Sequence, residues 1–151
     1  MPEALLTRLP RLLGLDNRKM SKSFDNTVNL SDPPGIVKKK IQNMFTDPKR
    51  IRLIDPGHPD ECNVFSYYKV FIPAREKEVY NWCKNAKVGC TDCKSRLADG
   101  LIMRLKIHQE KRMSWIKNKA GLRRILNQGQ KRASEVASQT IKQVKRIIGI
   151  S

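Results

Sequence analysis

Two groups of residues have the types and spacing to do chemistry. The first is Lys19-Met20-Ser21-Lys22-Ser23. Its two lysines, three apart, alternate with hydroxyls in a stretch punctuated by Gly14, Asp16-Asn17 and Asp25-Asn26 that reads as a loop. An ammonium on a flexible stem can follow phosphate oxygens, and the hydroxyls offer neutral hydrogen bonds to the same oxygens. In phosphoryl or nucleotidyl transfer such cations stabilise charge developing on the transferred and leaving groups. A bare K-x-x-K in a loop is usually solvated surface, so the weight rests on the whole pentapeptide.

The second group is Cys62, Cys83, Cys90 and Cys93, spaced C-x20-C-x6-C-x2-C within 32 residues. The closing C-x-x-C can offer two thiolates to one centre across a tight turn, with Gly89 giving the backbone latitude before it. Met1-Pro2-Glu3-Ala4-Leu5-Leu6 has no basic stretch ahead of an apolar core, so no secretory signal is read there and disulfides are disfavoured. Four thiolates suit tetrahedral zinc or an iron–sulfur cluster, and spacing leaves both open. Reduced, partly buried thiols are the bland alternative. Cysteine–histidine nucleophile chemistry is weaker still, because His58 and His108 are isolated and neither has an acidic partner in sequence.

These residues must be positioned by a chain that reads as mainly α. Residues 1–30 are expected to be extended or looped, with Thr27-Val28-Asn29-Leu30 as a short strand. Ser31 or Asp32 can cap a helix opening on Pro33-Pro34 and running to about Phe45 through Ile36, Val37, Ile41 and Met44. A short turn over Thr46–Ile51 and a loop over 55–59 follow. Further helices are expected over about 60–71, 74–86, 92–116 and 128–148, with a single turn over 121–126. Leu97, Leu101, Leu105, His108 and Ile116 share one face of the fourth. Ala133, Val136, Ala137, Ile141, Val144 and Ile148 do so on the last. Stripes at this spacing need burial, so the expected architecture is an antiparallel helical bundle following the lysine loop.

Charge narrows the partners. The chain holds 31 Lys and Arg against 14 Asp and Glu, a net +17, and residues 94–151 alone carry 15 basic and 3 acidic side chains. Such a field concentrates a polyanion and makes binding depend on salt. Aromatics are only 6%, too few for a base-stacking platform, so a structured anionic partner fits better than a bare strand. No apolar run approaches the roughly 18–20 residues that span a bilayer, so membrane and export functions are excluded and a cytoplasmic location is expected.

The pentapeptide matches the second signature, KMSKS, of class I aminoacyl-tRNA synthetases. With Met1–Pro10, Gly14-Leu15-Asp16-Asn17-Arg18, Asn29-Leu30-Ser31-Asp32-Pro33, Thr46-Asp47-Pro48-Lys49-Arg50 and Asp55–Phe65, the chain resembles the bacterial tryptophanyl-tRNA synthetases. Gly89-Cys90-Thr91-Asp92-Cys93-Lys94 is similar to the subset with four cluster-binding cysteines. Tyrosyl-tRNA synthetases share the loop signature but not the cysteine pattern. Departures are Phe24-Asp25 where the family often has Tyr-Gly, His58 for Asn or Asp, and Tyr68 for His.

The resemblance implies ATP-dependent activation of tryptophan and its transfer to tRNA(Trp). Lys19 and Lys22 would be catalytic, and Lys19, Met20, Ser21, Lys22 and Ser23 would bind ATP, with Mg²⁺ assisting. A [4Fe–4S] cluster, with zinc as the alternative, would sit on Cys62, Cys83, Cys90 and Cys93. Residues 1–30 would end the catalytic domain, and 31–151 would form a helical anticodon-binding domain contacting tRNA through Lys117, Lys119, Arg123 and Arg124. No H-x-G-H occurs, so the chain reads as a C-terminal half whose partner is a missing N-terminal half, in a family that is homodimeric. A stand-alone tRNA-binding or iron–sulfur regulatory module without catalysis is the other reading.

Overall fold

A computed structural model describes residues 3–6, 9 and 11–150. The other positions of the Met1–Pro10 stretch, on which the resemblance begins, lie outside the described residues. The described residues form five helices: α1 (Pro34–Gln42), α2 (Asn63–Phe71), α3 (Glu76–Lys84), α4 (Cys90–Lys117) and α5 (Lys119–Ile148). Single 3-10 turns occupy Lys22–Phe24, Pro59–Glu61 and Pro73–Arg75.

Local chemistry explains where these elements start and stop. Pro33 enters α1 in an extended conformation and Pro34 fills its first position, where a missing N–H costs nothing. Val37 and Ile41, one turn apart, are buried, and Lys39 and Lys40 sit near the negative end of the helix dipole. The helix stops three residues before the expected Phe45. The Phe45 N–H is diverted to the Leu15 carbonyl at 2.7 Å, which ties the end of α1 to the base of the lysine loop.

Other expectations change for similar reasons. Among the described residues there is no strand, only one isolated antiparallel bridge between Leu13 and Lys19. Thr27 does not pair in a ladder; its carbonyl accepts from the Lys40 ammonium at 2.9 Å. Thr46–Ile51 forms no helical turn, because the Asp47 side chain accepts from Lys49 N–H at 2.9 Å and closes the bend itself. The expected 60–71 helix breaks at Cys62, whose backbone is extended. The turn at 121–126 and the helix at 128–148 merge into α5, capped by the Asn118 side chain accepting from Gly121 N–H at 2.9 Å.

The chain divides into two compact units, residues 1–108 and 109–151, whereas the sequence reading divides it at 30/31. In the first, Val37, Ile41 and Met44 pack with Val64, Phe65, Tyr67 and Tyr68 of α2, Val79 of α3, and Leu97, Ala98, Leu101 and Leu105 of α4. In the second, no residue of α5 is buried. Val136, Ile141 and Ile148 are more than half exposed. The expected antiparallel bundle is therefore corrected: the apolar stripe of α5 is present, but periodicity specifies an amphipathic face and not the partner that covers it. No helix among the described residues is long and apolar enough to cross a membrane.

Candidate functional site

The lysine loop is an arch with a built footing. Its base is pinned from α2, where Asn63 Nδ2 donates to the Gly14 carbonyl at 2.6 Å and the Tyr67 hydroxyl donates to the Leu13 carbonyl at 2.9 Å. Asn63 Oδ1 is buried with no partner among the described residues. Asn26, 3% exposed, lies beneath the loop. Its Oδ1 accepts from Ser21 N–H at 2.9 Å, and its Nδ2 donates to the Lys19 carbonyl at 3.0 Å and to Asp16 Oδ1 at 2.8 Å. Ser21 caps the 3-10 turn Lys22–Phe24 by accepting from Ser23 N–H.

Asp16 is the ionic centre of this base. The Asn26 hydrogen bond, then those from Arg18, lower its carboxyl from 3.8 to about 2. Arg18 in turn lies 5.0 Å over the Phe24 ring. Asp25 closes the turn in the left-handed region, φ 47° and ψ 30°, the conformation that a glycine adopts without cost. That is the position where the resembled family often carries glycine. Lys19, Met20, Lys22 and Ser23 are exposed on the arch, and Ser21 is half-buried. Among the described residues neither lysine ammonium is hydrogen-bonded or ion-paired. The loop thus offers two mobile cations on a fixed backbone.

The four cysteines are brought together from three different places in the chain. Cys62 precedes α2, Cys83 lies in the last turn of α3, and Cys90 and Cys93 open α4. All four line one small cavity with Thr46, Asp47, Arg50, Val64, Val79, Trp82 and Val88. Burial pushes the Cys62 thiol up, the Cys83 thiol to about 11 and the Cys93 thiol to about 12. Neighbouring thiols push in the same direction: Cys90 on Cys62, Cys62 and Cys90 on Cys83, and all three others on Cys93. Gly57 allows the approach: a Cβ there would collide with Cys83 Sγ, and Gly57 N–H donates to the Cys83 carbonyl at 2.9 Å. Among the described residues no three metal-binding side chains stand close enough to hold a single ion.

Charged and polar groups surround this cavity. Arg50 donates to the Val88 carbonyl at 3.0 Å and the Leu53 carbonyl at 2.8 Å, with a guanidinium nitrogen 4.0 Å from Cys90 Sγ. Lys94 donates to the Gln42 carbonyl at 2.9 Å; burial lowers its ammonium, against the pull of the thiolates. The Tyr68 hydroxyl donates to the Cys93 carbonyl at 2.9 Å. Arg75 and Arg96 each place a guanidinium group over the Trp82 ring, at 4.9 and 4.7 Å from its centroid.

His58 is not isolated, as the sequence suggested. Its ring Nδ1 lies 2.9 Å from Asp47 Oδ2, and its backbone N–H donates to the same oxygen at 2.7 Å. Burial pushes the Asp47 carboxyl up, but the hydrogen bonds from His58 and Lys49 outweigh it and leave it below the usual range. Ten residues of intervening loop hid this pair, since no periodicity links its ends. Lys117, Lys119, Arg123 and Arg124 are all exposed, around the junction of α4 and α5.

Comparison with known proteins locates these features in a family. The profile described as "tRNA synthetases class I (W and Y)" matches residues 1–106. The chain is 37% identical to the tryptophan–tRNA ligase of Aquifex aeolicus and 36% identical to that of Thermotoga maritima, covering 99% of this chain in both cases. It spans only 38% and 46% of those relatives' lengths. Among solved structures, tryptophanyl-tRNA synthetase from Campylobacter jejuni, complexed with ADP and tryptophan, superposes with a TM-score of 0.83 at 27% identity. That superposition covers 99% of this chain and 47% of that one.

These matches correct two expectations. The synthetase profile runs unbroken from the lysine loop through the cysteine-bearing helices to residue 106. That region is therefore catalytic-family sequence, not a separate anticodon-binding domain beginning at residue 31. The reading of the chain as a C-terminal half that supplies anticodon binding falls with it. What remains is a lysine loop and a four-cysteine cavity inside one region that the family profile covers, and the chain belongs to the class I tRNA synthetases of the W and Y family.

Proposed function

We propose that this chain supplies the phosphate-handling loop in the catalytic region of a cytoplasmic tryptophan–tRNA ligase. The observation that carries the reading is the lysine loop itself: two exposed ammonium groups on a backbone fixed from below by Asn26. In the reaction, a tryptophan carboxylate oxygen bonds to the α-phosphorus of ATP as the bond to the bridging oxygen breaks, and pyrophosphate leaves. Lys19 and Lys22 meet the negative charge that grows on the leaving pyrophosphate. Ser21 and Ser23 hold the turn from which Lys22 projects. Mg²⁺, when bound to the nucleotide, supplies further charge neutralisation. A hydroxyl of the terminal ribose of tRNA(Trp) then bonds to the acyl carbon of the adenylate as its bond to the phosphate oxygen breaks and AMP leaves. The tRNA phosphates fit the exposed Lys117, Lys119, Arg123 and Arg124.

For the four cysteines the proposal is a [4Fe–4S] cluster, as the resemblance implies, with zinc as the alternative. What supports a common centre is that all four line one cavity and that the other three thiols all act on Cys93. Cys62, Cys83, Cys90 and Cys93 would hold it, and its contribution there is to cross-link α2, α3 and α4.

A chimera tests the catalytic reading. This chain replaces the matching region of the Thermotoga maritima relative, and tryptophan-dependent ATP–pyrophosphate exchange is measured. Exchange should persist, and Lys22→Ala should lower it by roughly 10²–10³, the scale of a lost transition-state donor. An unchanged rate removes Lys22 from the chemistry. Iron and sulfide analysis of anaerobically purified protein tests the cluster; one tightly held zinc and no iron would overturn it.

A further inference from the structure

We infer that Asn26 is the positioning residue of the lysine loop: its carboxamide, seated on the bare backbone of Gly14, sets the arch that presents Lys19 and Lys22 to a polyphosphate. The inference deepens the phosphate reading above and rests on it. Lys19 C=O and Ser21 N–H flank Met20, and the Asn26 side chain bonds to both, at 3.0 and 2.9 Å. One amide group therefore closes a ring around Met20 and fixes the peptide planes on either side. Its remaining bond, to Asp16 at 2.8 Å, orients the amide so that oxygen and nitrogen cannot exchange roles without losing every contact. The Asn26 carbonyl accepts from Leu15 N–H at 2.8 Å, which locks the same residue into the base of the arch.

Gly14 is the independent half of the argument. A Cβ on it would overlap the Asn26 side-chain amide. Gly14 is not in a left-handed conformation, so close approach is what excludes a side chain there. All the side-chain bonds of Asn26 go to residues 16–21, and none goes to a helix. A residue that served only the hydrophobic core would not place all three of its side-chain hydrogen bonds on the loop.

The test uses the 151-residue chain. Amide exchange is followed by NMR over Lys19–Asp25, with magnesium pyrophosphate titrated calorimetrically. Asn26→Ala and Gly14→Ala should each speed exchange at the Ser21 amide by about tenfold or more, the scale of one or two lost hydrogen bonds. Pyrophosphate affinity should weaken several-fold, while protection in α1 and α2 stays unchanged.

Asn26→Asp separates positioning from packing. The introduced carboxylate can accept from Ser21 but cannot donate to Lys19 or Asp16. On acidification the carboxyl gains a proton and can donate again. Protection, corrected for intrinsic exchange, should then recover as pH falls toward 4, a reversal that a purely steric role does not give. Unchanged Ser21 exchange in Asn26→Ala overturns the inference. So does a loosened loop that binds pyrophosphate as before. A wild-type chain with the exchange effects but no pyrophosphate affinity refutes the phosphate reading instead, and keeps Asn26 as the anchor of the arch.

Discussion

Gly57→Ala isolates the close approach on which the four-cysteine cavity depends. Gly57 is buried, and its backbone is not in a left-handed conformation, so an added methyl meets only a packing obstacle. The new Cβ collides with Cys83 Sγ and comes within 3.3 Å of the Cys83 carbonyl and 3.4 Å of Arg50 Cδ. The protein can respond in two ways. Cys83 can rotate to another rotamer, which costs about 0.5–1.5 kcal/mol if it leaves its well and turns the sulfur out of the cavity. Otherwise the backbone of residue 57 retreats, stretching its 2.9 Å bond to Cys83, at the roughly 1–3 kcal/mol typical of overpacking. The corresponding loss in melting temperature is on the order of 5–15 °C for a unit of this size. Either response dismantles the four-thiol arrangement, so the iron of the proposed cluster should fall in parallel. Anaerobic iron analysis, thermal melts and alkylation of the folded protein read all three effects. If Gly57→Ala keeps its metal, its melting point and its alkylation pattern, Cys83 does not belong to a common centre.

Other outcomes follow from single contacts. Asp16 has a folded carboxyl at about 2 against an ordinary 3.8, so its contribution is complete above pH 4 and is lost as pH falls from about 4 to 2. The Asn26 side-chain amide resonances should report this as line broadening over that window alone. Tyr68→Phe removes the hydroxyl that donates to Cys93 and should cost about 0.5–1.5 kcal/mol in urea unfolding. An unchanged midpoint would mean the Cys93 carbonyl is satisfied within α4. Replacing Lys117, Lys119, Arg123 and Arg124 with glutamine should weaken tRNA binding and flatten its salt dependence, by about 0.7–0.9 in the logarithmic slope per lost phosphate contact. Equal slopes would make these four a solvated face.

The candidate residues were more legible in the sequence than their surroundings. Lys19–Ser23 and the cysteine spacing stand out by side-chain type and short-range interval alone; that the loop is exposed and that the four thiols line one cavity is read only from the fold. Helix positions followed from periodicity and from the prolines at 33, 34 and 73. The ends did not, because they were decided by long-range bonds such as Phe45 N–H to Leu15, which no local pattern announces. Asn26 was visible as a loop residue, but its three side-chain partners become visible only once the chain folds back on itself. The Asp47–His58 pair was hidden for the same reason. On α5 the failure ran the other way. The stripe was read correctly, and burial was inferred from it without a partner to supply it.

The division at residue 30/31 would separate the lysine loop from the helices that carry the four cysteines. The end of α1 joins them. On one side Phe45 N–H bonds to Leu15 at the foot of the arch, and Lys40 bonds at 2.9 Å to both Asp32 and the Thr27 carbonyl. Burial pushes the Asp32 carboxyl up, but the bonds from Lys40 and Asn29 more than offset this and keep it below its ordinary range. On the other side the Gln42 carbonyl accepts from Lys94, and Gln42 Nε2 reaches Ser95 Oγ at 3.3 Å, next to the cysteines that open α4. Between these two sets of bonds, Ile41 and Met44 are sealed in the core. Cutting the chain after residue 30 would part the Leu15 carbonyl from Phe45 N–H, the Thr27 carbonyl from Lys40 and Asn29 from Asp32, each at a cost of about 1–3 kcal/mol if buried. The arch that presents Lys19 and Lys22 thus takes its footing from α1, which is anchored in the same core that gathers the four cysteines.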